Sequence, residues 1–278
     1  MTDQTPRRIG IIGTGRVGKA LALGLAPYAD GEPLIRGRST AGPSLEALVQ
    51  ACDIIAIAVA DDALASVVAD LASKGPFPHA PLVFHVSGSH GVGTLAPLHA
   101  QGALTAAIHP AMTFTGDPSS EVQRMVGARF AVTGSSEEAS QQARQIVQRL
   151  GGIPVAVAEE HRALYHAALC HGANHLVTLL AGSSQALRAA GVDEPEALLA
   201  PLVRAALENA LAKGFAALSG PLLRGDGQTI HHHLAAMDKD APALTPAYRA
   251  MALATLDELE RSGRPAAQQI RQNLETIG

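Results

Sequence analysis

A chain of 278 residues with a formal net charge of −4 has the length for about two domains, and its charge balance calls for neither nucleic acid nor an anionic membrane. Its cysteines, Cys52 and Cys170, are too few for a disulfide framework and lack metal-ligand spacing, so no metal is expected. No apolar run approaches the roughly 20 residues of a membrane helix, and Met1 to Arg8 leads straight into a strand pattern with no signal-peptide stretch, so the expected location is cytoplasmic.

Arg8 to Ile12 reads as a short apolar strand that runs into Gly13-Thr14-Gly15-Arg16-Val17-Gly18, followed by a helical stretch from Lys19 to Leu25. A Gly-x-Gly-x-x-Gly match is weak alone. Here a strand precedes it, a helix follows, and a second strand comes about twenty residues later, the context of a dinucleotide site. Gly13 permits the tight turn, Gly15 lets a pyrophosphate approach the backbone, and Gly18 lets helix and strand pack closely. The amides of the turn and the positive helix end then face phosphate. A glycine-rich turn that binds nothing is the alternative.

The second strand, Leu34 to Arg36, lacks the terminal Asp or Glu that accepts ribose hydroxyls in NAD enzymes. Arg36 and Arg38, with the hydroxyls of Ser39 and Thr40, suit a 2′-phosphate instead, so NADP(H) is the expected cofactor. A solvated basic loop is the bland alternative. Asp53 to Val59 is a continuous apolar run and predicts a buried strand, whose end at Val59 and Ala60 falls beside the cofactor. A helix is expected from Ala63 to Leu71, then strands at Leu82 to Val86, Leu104 to Ile108, Arg129 to Val132 and Ile153 to Val157. Ser135-Ser136-Glu137-Glu138 has the form of a capping box for a helix reaching Leu150. After Glu159 only helical periodicity remains: one long helix to about Ala190, a second from Glu196 to Lys213, and a last from Pro246 to Ser262. The expected fold is α/β, a Rossmann-type doubly wound parallel sheet over residues 1–157 followed by an all-α domain over 158–278.

Ligands of doubly wound sheets sit beyond the carboxyl ends of the strands. Two turns there carry chemistry: His85-Val86-Ser87-Gly88-Ser89-His90 and His109-Pro110. Hydride addition to a carbonyl needs a proton donor, and His109 is the candidate, with a strand-end histidine bonded to backbone as the alternative. On the helix entering the second domain, His166, Cys170 and Asn174 are spaced four apart and predict one polar face, with His171 and His175 on another. His231-His232-His233 reads as a polar helix or loop surface.

The Gly-x-Gly-x-x-Gly start, His85-Val86-Ser87-Gly88, His109-Pro110 with Phe114, Tyr165-His166-Ala167-Ala168 and Gly220-Pro221-Leu222-Leu223-Arg224-Gly225-Asp226 together resemble a bacterial family that pairs a Rossmann-like domain with a helical domain of unknown function. Its relatives include ketopantoate reductases, pyrroline-5-carboxylate reductases and prephenate dehydrogenases. The resemblance implies a 6-phosphogluconate-dehydrogenase-like helical domain that builds a homodimer. It also implies that Ser87 and His109 touch the substrate hydroxyl or carbonyl, with Ser89 close by, and that Asn174 and His166 face it from the second domain. Ketopantoate reductases also use a lysine on the interdomain helix; this chain has none there, and Cys170 stands in its place. Arg224 could pair with a substrate carboxylate and Asp226 orient it, or the two could form a helix junction. The resemblance implies NADPH-dependent reduction of a small oxo acid, ketopantoate first. A cyclic imine acid such as pyrroline-5-carboxylate, a deazaflavin-dependent NADP oxidoreductase and a non-catalytic NADPH sensor are the alternatives.

Overall fold

The computed structural model describes residues 7–38, 42–264 and 268–275. The chain divides into two compact units, Met1–Cys170 and His171–Gly278.

The first unit is built on seven strands, β1 (Ile9–Ile12), β2 (Leu34–Arg36), β3 (Ile54–Ile57), β4 (Leu82–His85), β5 (Leu104–Pro110), β6 (Arg129–Gly134) and β7 (Ile153–Ala156). They form one sheet in the order β2-β1-β3-β4-β5-β6-β7. The first five are parallel; β6 runs antiparallel to β5, and β7 parallel to β6. The continuous apolar runs in β1, β3 and β4 are buried throughout, as strands covered on both faces must be. Seven helices belong to this unit: α1 (Arg16–Leu25), α2 (Leu45–Ala51), α3 (Asp61–Ala72), α4 (Ala96–His99), α5 (Pro118–Met125), α6 (Glu137–Arg149) and α7 (Arg162–Leu169).

Side-chain alternation along the strands divides the core into two layers. Ile9, Ile11 and Phe84 pack with Leu21 and Leu25 of α1, Met125 of α5 and Ile146 of α6. Ile55, Ile57 and Val83 pack on the other face with Leu48 of α2, Val68 and Leu71 of α3 and Leu98 of α4. The sheet is therefore doubly wound. The reversal at β6 departs from an all-parallel sheet; just past the last β5–β6 pair, Pro110 opposite Phe130, the Ala111 amide bonds the Arg129 carbonyl. The α6 cap also differs from expectation. Ser136 accepts the Ala139 amide at 3.1 Å, whereas Ser135 accepts the Thr105 amide, so the Ser135–Glu138 box does not form.

The second unit is helical: α8 (His175–Ala189), α9 (Pro195–Lys213), α10 (Pro221–Arg224), α11 (Gly227–Asp240), α12 (Thr245–Arg261) and α13 (Gln268–Glu275). Its core joins Ile230 and Leu234 of α11 to Leu256 and Leu259 of α12 and Ile270 and Leu274 of α13. The histidines 231–233 lie on the exposed side of α11. The single long helix expected after Glu159 is broken. A 3-10 turn, Glu159–His161, precedes α7, and a π turn, Cys170–Asn174, follows it. His166 and Cys170 keep the expected common face, with Cys170 Sγ 3.7 Å from His166 Nε2, whereas the wider π turn between Cys170 and Asn174 takes Asn174 out of the four-residue spacing. Among the described residues no helix is long and apolar enough to cross a membrane.

One buried polar residue ties stability of the sheet to pH. His85, at the end of β4, is fully buried. Its Nδ1 accepts the Ser87 amide at 3.2 Å and its Nε2 bonds the Gly91 carbonyl at 2.9 Å, which fixes a neutral, Nε2-protonated ring. Burial lowers its pKa to about 4. An unfolded histidine takes its proton near pH 6.5, so stability is complete above that value and is lost as pH falls towards 4. Urea unfolding between pH 7 and 4 should show a loss of about 1.4 kcal/mol per pH unit from this residue. His85→Gln should flatten that slope while lowering stability at pH 7.

Candidate active site

The first turn of the sheet shows what each glycine does. Gly13 has φ +117°, and a Cβ there would lie 2.1 Å from the Ala58 carbonyl oxygen. A Cβ on Gly18 would lie 2.1 Å from the Gly13 carbonyl oxygen. These two positions are fixed by the protein's own backbone. Gly15 is different: a Cβ there meets nothing within 4 Å and points into open space. Gly15 is also the N-cap of α1, with no side-chain cap and no acidic residue in the first turn, so the helix's leading amides are available to an anion.

A cleft of about 630 Å³ opens at this turn, bordered by Gly13, Thr14 and Gly15, by Arg36 and Arg38, and by Val59 and Ala60 after β3. Thus most of the expected cofactor residues come together. Arg36 is partly held by the Pro43 carbonyl at 2.8 Å, and Arg38 is exposed. Arg16 does not border the cleft; its guanidinium donates to the Phe114 carbonyl at 3.1 Å. Val17 packs against the core on the α1 side. Ser39 lies outside the described residues. The remaining wall comes from α3, through Ala63, Ser66 and Val67 with Asp62 and Asp70, a contribution no local motif announces.

A second cluster gathers beyond the ends of β4 and β5. His109 Nδ1 lies 2.9 Å from the Tyr165 hydroxyl, and its ring meets those of Tyr165 and His166 edge-on, at centroid distances of 5.6 and 5.8 Å. A methyl placed on Gly88 would come within 2.9 Å of His109 Nε2 and 2.4 Å of His166 Cδ2, so only glycine fits against the two rings. Burial, reinforced by the Arg162 and His166 charges, lowers the His109 pKa to about 4. His109 is therefore a neutral imidazole at pH 7 and not an imidazolium acid. Burial raises the Tyr165 phenol, which stays protonated.

Arg162 stands behind this cluster and is 1% exposed. Its guanidinium donates to the Ser87 carbonyl at 2.7 Å and to the Thr133 hydroxyl at 3.2 Å, and so fixes the turn carrying Ser87 and Gly88. Glu159, three residues earlier, accepts the Val92 and Gly93 amides at 2.8 and 2.9 Å. On the other side of the turn, Ser87, Ser89 and His90 cluster with Asp61, the first residue of α3. Sequence reasoning missed Arg162, Glu159 and Asp61, because nothing in the chain marks a charged helix residue as buried or a helix-start carboxylate as part of a site.

In the second unit, Asn174 ends the π turn and is exposed. Asp226 is the N-cap of α11: its two oxygens take the amide and hydroxyl of Thr229 at 3.1 and 2.7 Å. The Thr229 hydrogen bonds, joined by the charge of Arg224, hold the Asp226 carboxyl below its ordinary value; Arg224 is exposed at the end of α10.

Residues 38–110 match the model of the Rossmann-like domain, and residues 128–255 match that of a domain of unknown function, DUF2520. No curated protein matches the sequence. Among solved structures the chain is similar to BF3122 from Bacteroides fragilis, at 17% identity, covering 91% of this chain and 99% of that one, with a TM-score of 0.72. It is also similar to a reductive aminase from Aspergillus terreus in complex with NADPH and ethyl-5-oxohexanoate, at 18% identity over 98% and 100% of the two chains, TM-score 0.68. A third is the Plasmodium falciparum pyrroline carboxylate reductase with NADP bound, at 16% identity over 97% and 98%, TM-score 0.58. At these identities the likeness is one of fold. The chain thus pairs a Rossmann-like domain with a DUF2520 domain, the combination its motifs resemble.

Proposed function

We propose that this chain is an NADP(H)-dependent oxidoreductase that reduces a small oxo acid beside Ser87 and His109. The observation that carries the cofactor reading is Gly15. The protein makes no use of the space above it, whereas the neighbouring glycines are demanded by backbone contacts. A ligand passing close to the backbone explains a glycine there, and the uncapped α1 amides suit its pyrophosphate. Arg38, and Arg36 through its remaining donors, would take the 2′-phosphate. Bound there, NADPH supplies a hydride and its electron pair. The fold is shared with structures that hold NADPH or NADP, which supports the same cofactor class here.

His109 acts in this reading as a neutral donor. With the Tyr165 hydroxyl donating to Nδ1, the ring proton sits on Nε2, facing the Gly88 side where the substrate oxygen would lie. Ketopantoate is the oxo acid to try first. One observation favours the second reading, a cyclic imine acid such as pyrroline-5-carboxylate: an iminium needs no added proton, and above about pH 4 the neutral His109 ring offers a hydrogen bond but no imidazolium proton to transfer. Arg224, whose charge acts on Asp226, is the partner proposed for the carboxylate of either substrate.

Dimerisation through the helical unit is part of the proposal. Along α9 only Pro195 is buried, while Leu198, Leu202, Leu207 and Leu211 are 56%, 67%, 46% and 81% exposed. Leu198 and Leu202 lie on one side of the helix and Leu207 and Leu211 on the opposite side. Apolar surface on both sides of one helix marks an element that association covers, and a second copy is the occupant proposed.

Four experiments test these points. Gly15→Ala should melt like the wild type, since its methyl meets no protein atom, yet weaken NADPH binding at least tenfold by fluorescence titration. Arg38→Ala should weaken NADPH about tenfold and leave NADH unchanged, the worth of one charge-assisted hydrogen bond. Loss of NADPH absorbance on adding ketopantoate, then other oxo acids and pyrroline-5-carboxylate, would establish turnover, and His109→Ala should cost an oxo acid about 10²-fold in kcat. NADPH binding with no turnover across that panel would instead favour a sensor. Sedimentation should give a dimer that Leu202→Glu with Leu211→Glu converts to monomer.

A further inference from the structure

With His109 neutral, reduction of a carbonyl needs another proton source, and the turn after β4 holds one. Ser87 is 8% exposed. Its Oγ accepts the His90 amide at 3.2 Å and lies 3.0 Å from His90 Nδ1 and 3.3 Å from Ser89 Oγ. When His90 is protonated, Nδ1–H also donates to Ser87 Oγ. Both lone pairs of that hydroxyl are then occupied. Since Ser89 spends its hydrogen on Asp61, the hydrogen of Ser87 lies towards Ser89 and Asp61 and reaches a ligand oxygen by rotation of the hydroxyl. His90 Nδ1 is also 3.1 Å from Ser89 Oγ and 3.5 Å from Asp61 Oδ2, and Ser89 donates to Asp61 at 2.8 Å.

We propose that His90, held by Asp61 and Ser89, supplies through Ser87 the proton that completes carbonyl reduction. The inference rests on the reductase reading above. The balance is simple. The carbonyl carbon gains the hydride and the C=O π pair passes to oxygen, so the carbonyl is reduced to an alcohol as NADPH is oxidised to NADP⁺. A new O–H bond forms with the Ser87 proton, the Ser87 oxygen takes the Nδ1 proton of His90, and His90 is left neutral. Its side chain and that of Asp61 are 41% and 45% exposed. A proton from water therefore returns to Nδ1 along Asp61 and Ser89. Burial pulls the Asp61 carboxyl up, but hydrogen bonds from Ser89 and Ser87 and the adjacent His90 outweigh it and leave it below its ordinary value. Asp61 thus stays an anion beside His90. The other ionisable groups around the relay are His85 on β4, which His90 itself disfavours as a cation, and Arg162 and His166 on α7, which act on His85 and Asp61.

His90→Gln keeps a hydrogen-bonding group beside Ser87 but cannot carry a charged proton. With ketopantoate or the best oxo acid of the panel, kcat should fall about 10²-fold, the worth of a positioned acid, with KM and the NADPH Kd within twofold. Pyrroline-5-carboxylate turnover should fall less than threefold, and imidazole should restore part of the activity of His90→Ala. Turnover that His90→Gln leaves within twofold, or His90→Ala activity that imidazole does not restore, overturns the relay alone. No turnover of any oxo acid by the wild type overturns the oxo-acid reading and the relay with it.

Discussion

The arrangement beyond the sheet depends on one buried cation. Taking a guanidinium out of water costs several kcal/mol unless its donors are satisfied, and Arg162 forms no ion pair among the described residues. It spends its terminal donors on the Ser87 carbonyl and the Thr133 hydroxyl, and its Nε has no protein partner. Both acceptors lie at points where the sheet departs from simple repetition: the turn after β4, and the reversed strand β6, whose Thr133 sits beside Ala107 in register. The fixed positive charge also helps keep His85 and His109 neutral. One residue therefore sets the position of the Ser87 turn and the protonation of the rings around it.

The cofactor side of the sheet follows a different logic, in which backbone meets backbone. Gly13 against Ala58 and Gly18 against Gly13 bring β1, α1 and the end of β3 so close that no side chain fits between them. That closeness brings Val59, Ala60 and the amides of α1 to the border of one cleft. The glycine between them, without any such contact, then stands out as a position shaped for something other than the protein.

Much of this was legible in the sequence, because it rests on local rules. Apolar runs of strand length gave all seven strands to within two or three residues, and the glycine spacing located the cleft. What escaped depends on contacts between distant segments. The antiparallel entry of β6 shows only in its pairing with β5, from Ala106 opposite Gly134 to Pro110 opposite Phe130, and not in the composition of either strand. A π turn differs from an α turn by one residue, too small a signal to read from apolar periodicity. His109 looked like an acid because histidine ordinarily titrates near neutrality; only its surroundings, brought from α7, change that. Asp226 looked like a ligand-binding carboxylate, and its place at the start of α11 could be seen only once that helix, which carries few apolar residues, was in view.

Glu159 and Arg162 are one turn apart in the chain, and they hold opposite ends of the same segment. The arginine fixes Ser87, and the glutamate takes the amides of Val92 and Gly93 and lies so near Gly91 that no side chain fits. The segment between is stapled at both ends to a single short stretch of helix. The entropy of ordering it is thus spent when the protein folds, and none of it is charged against the binding of a ligand. A site of this kind is preorganised: affinity there reports the fit of the ligand itself, with no tax for closing a loop.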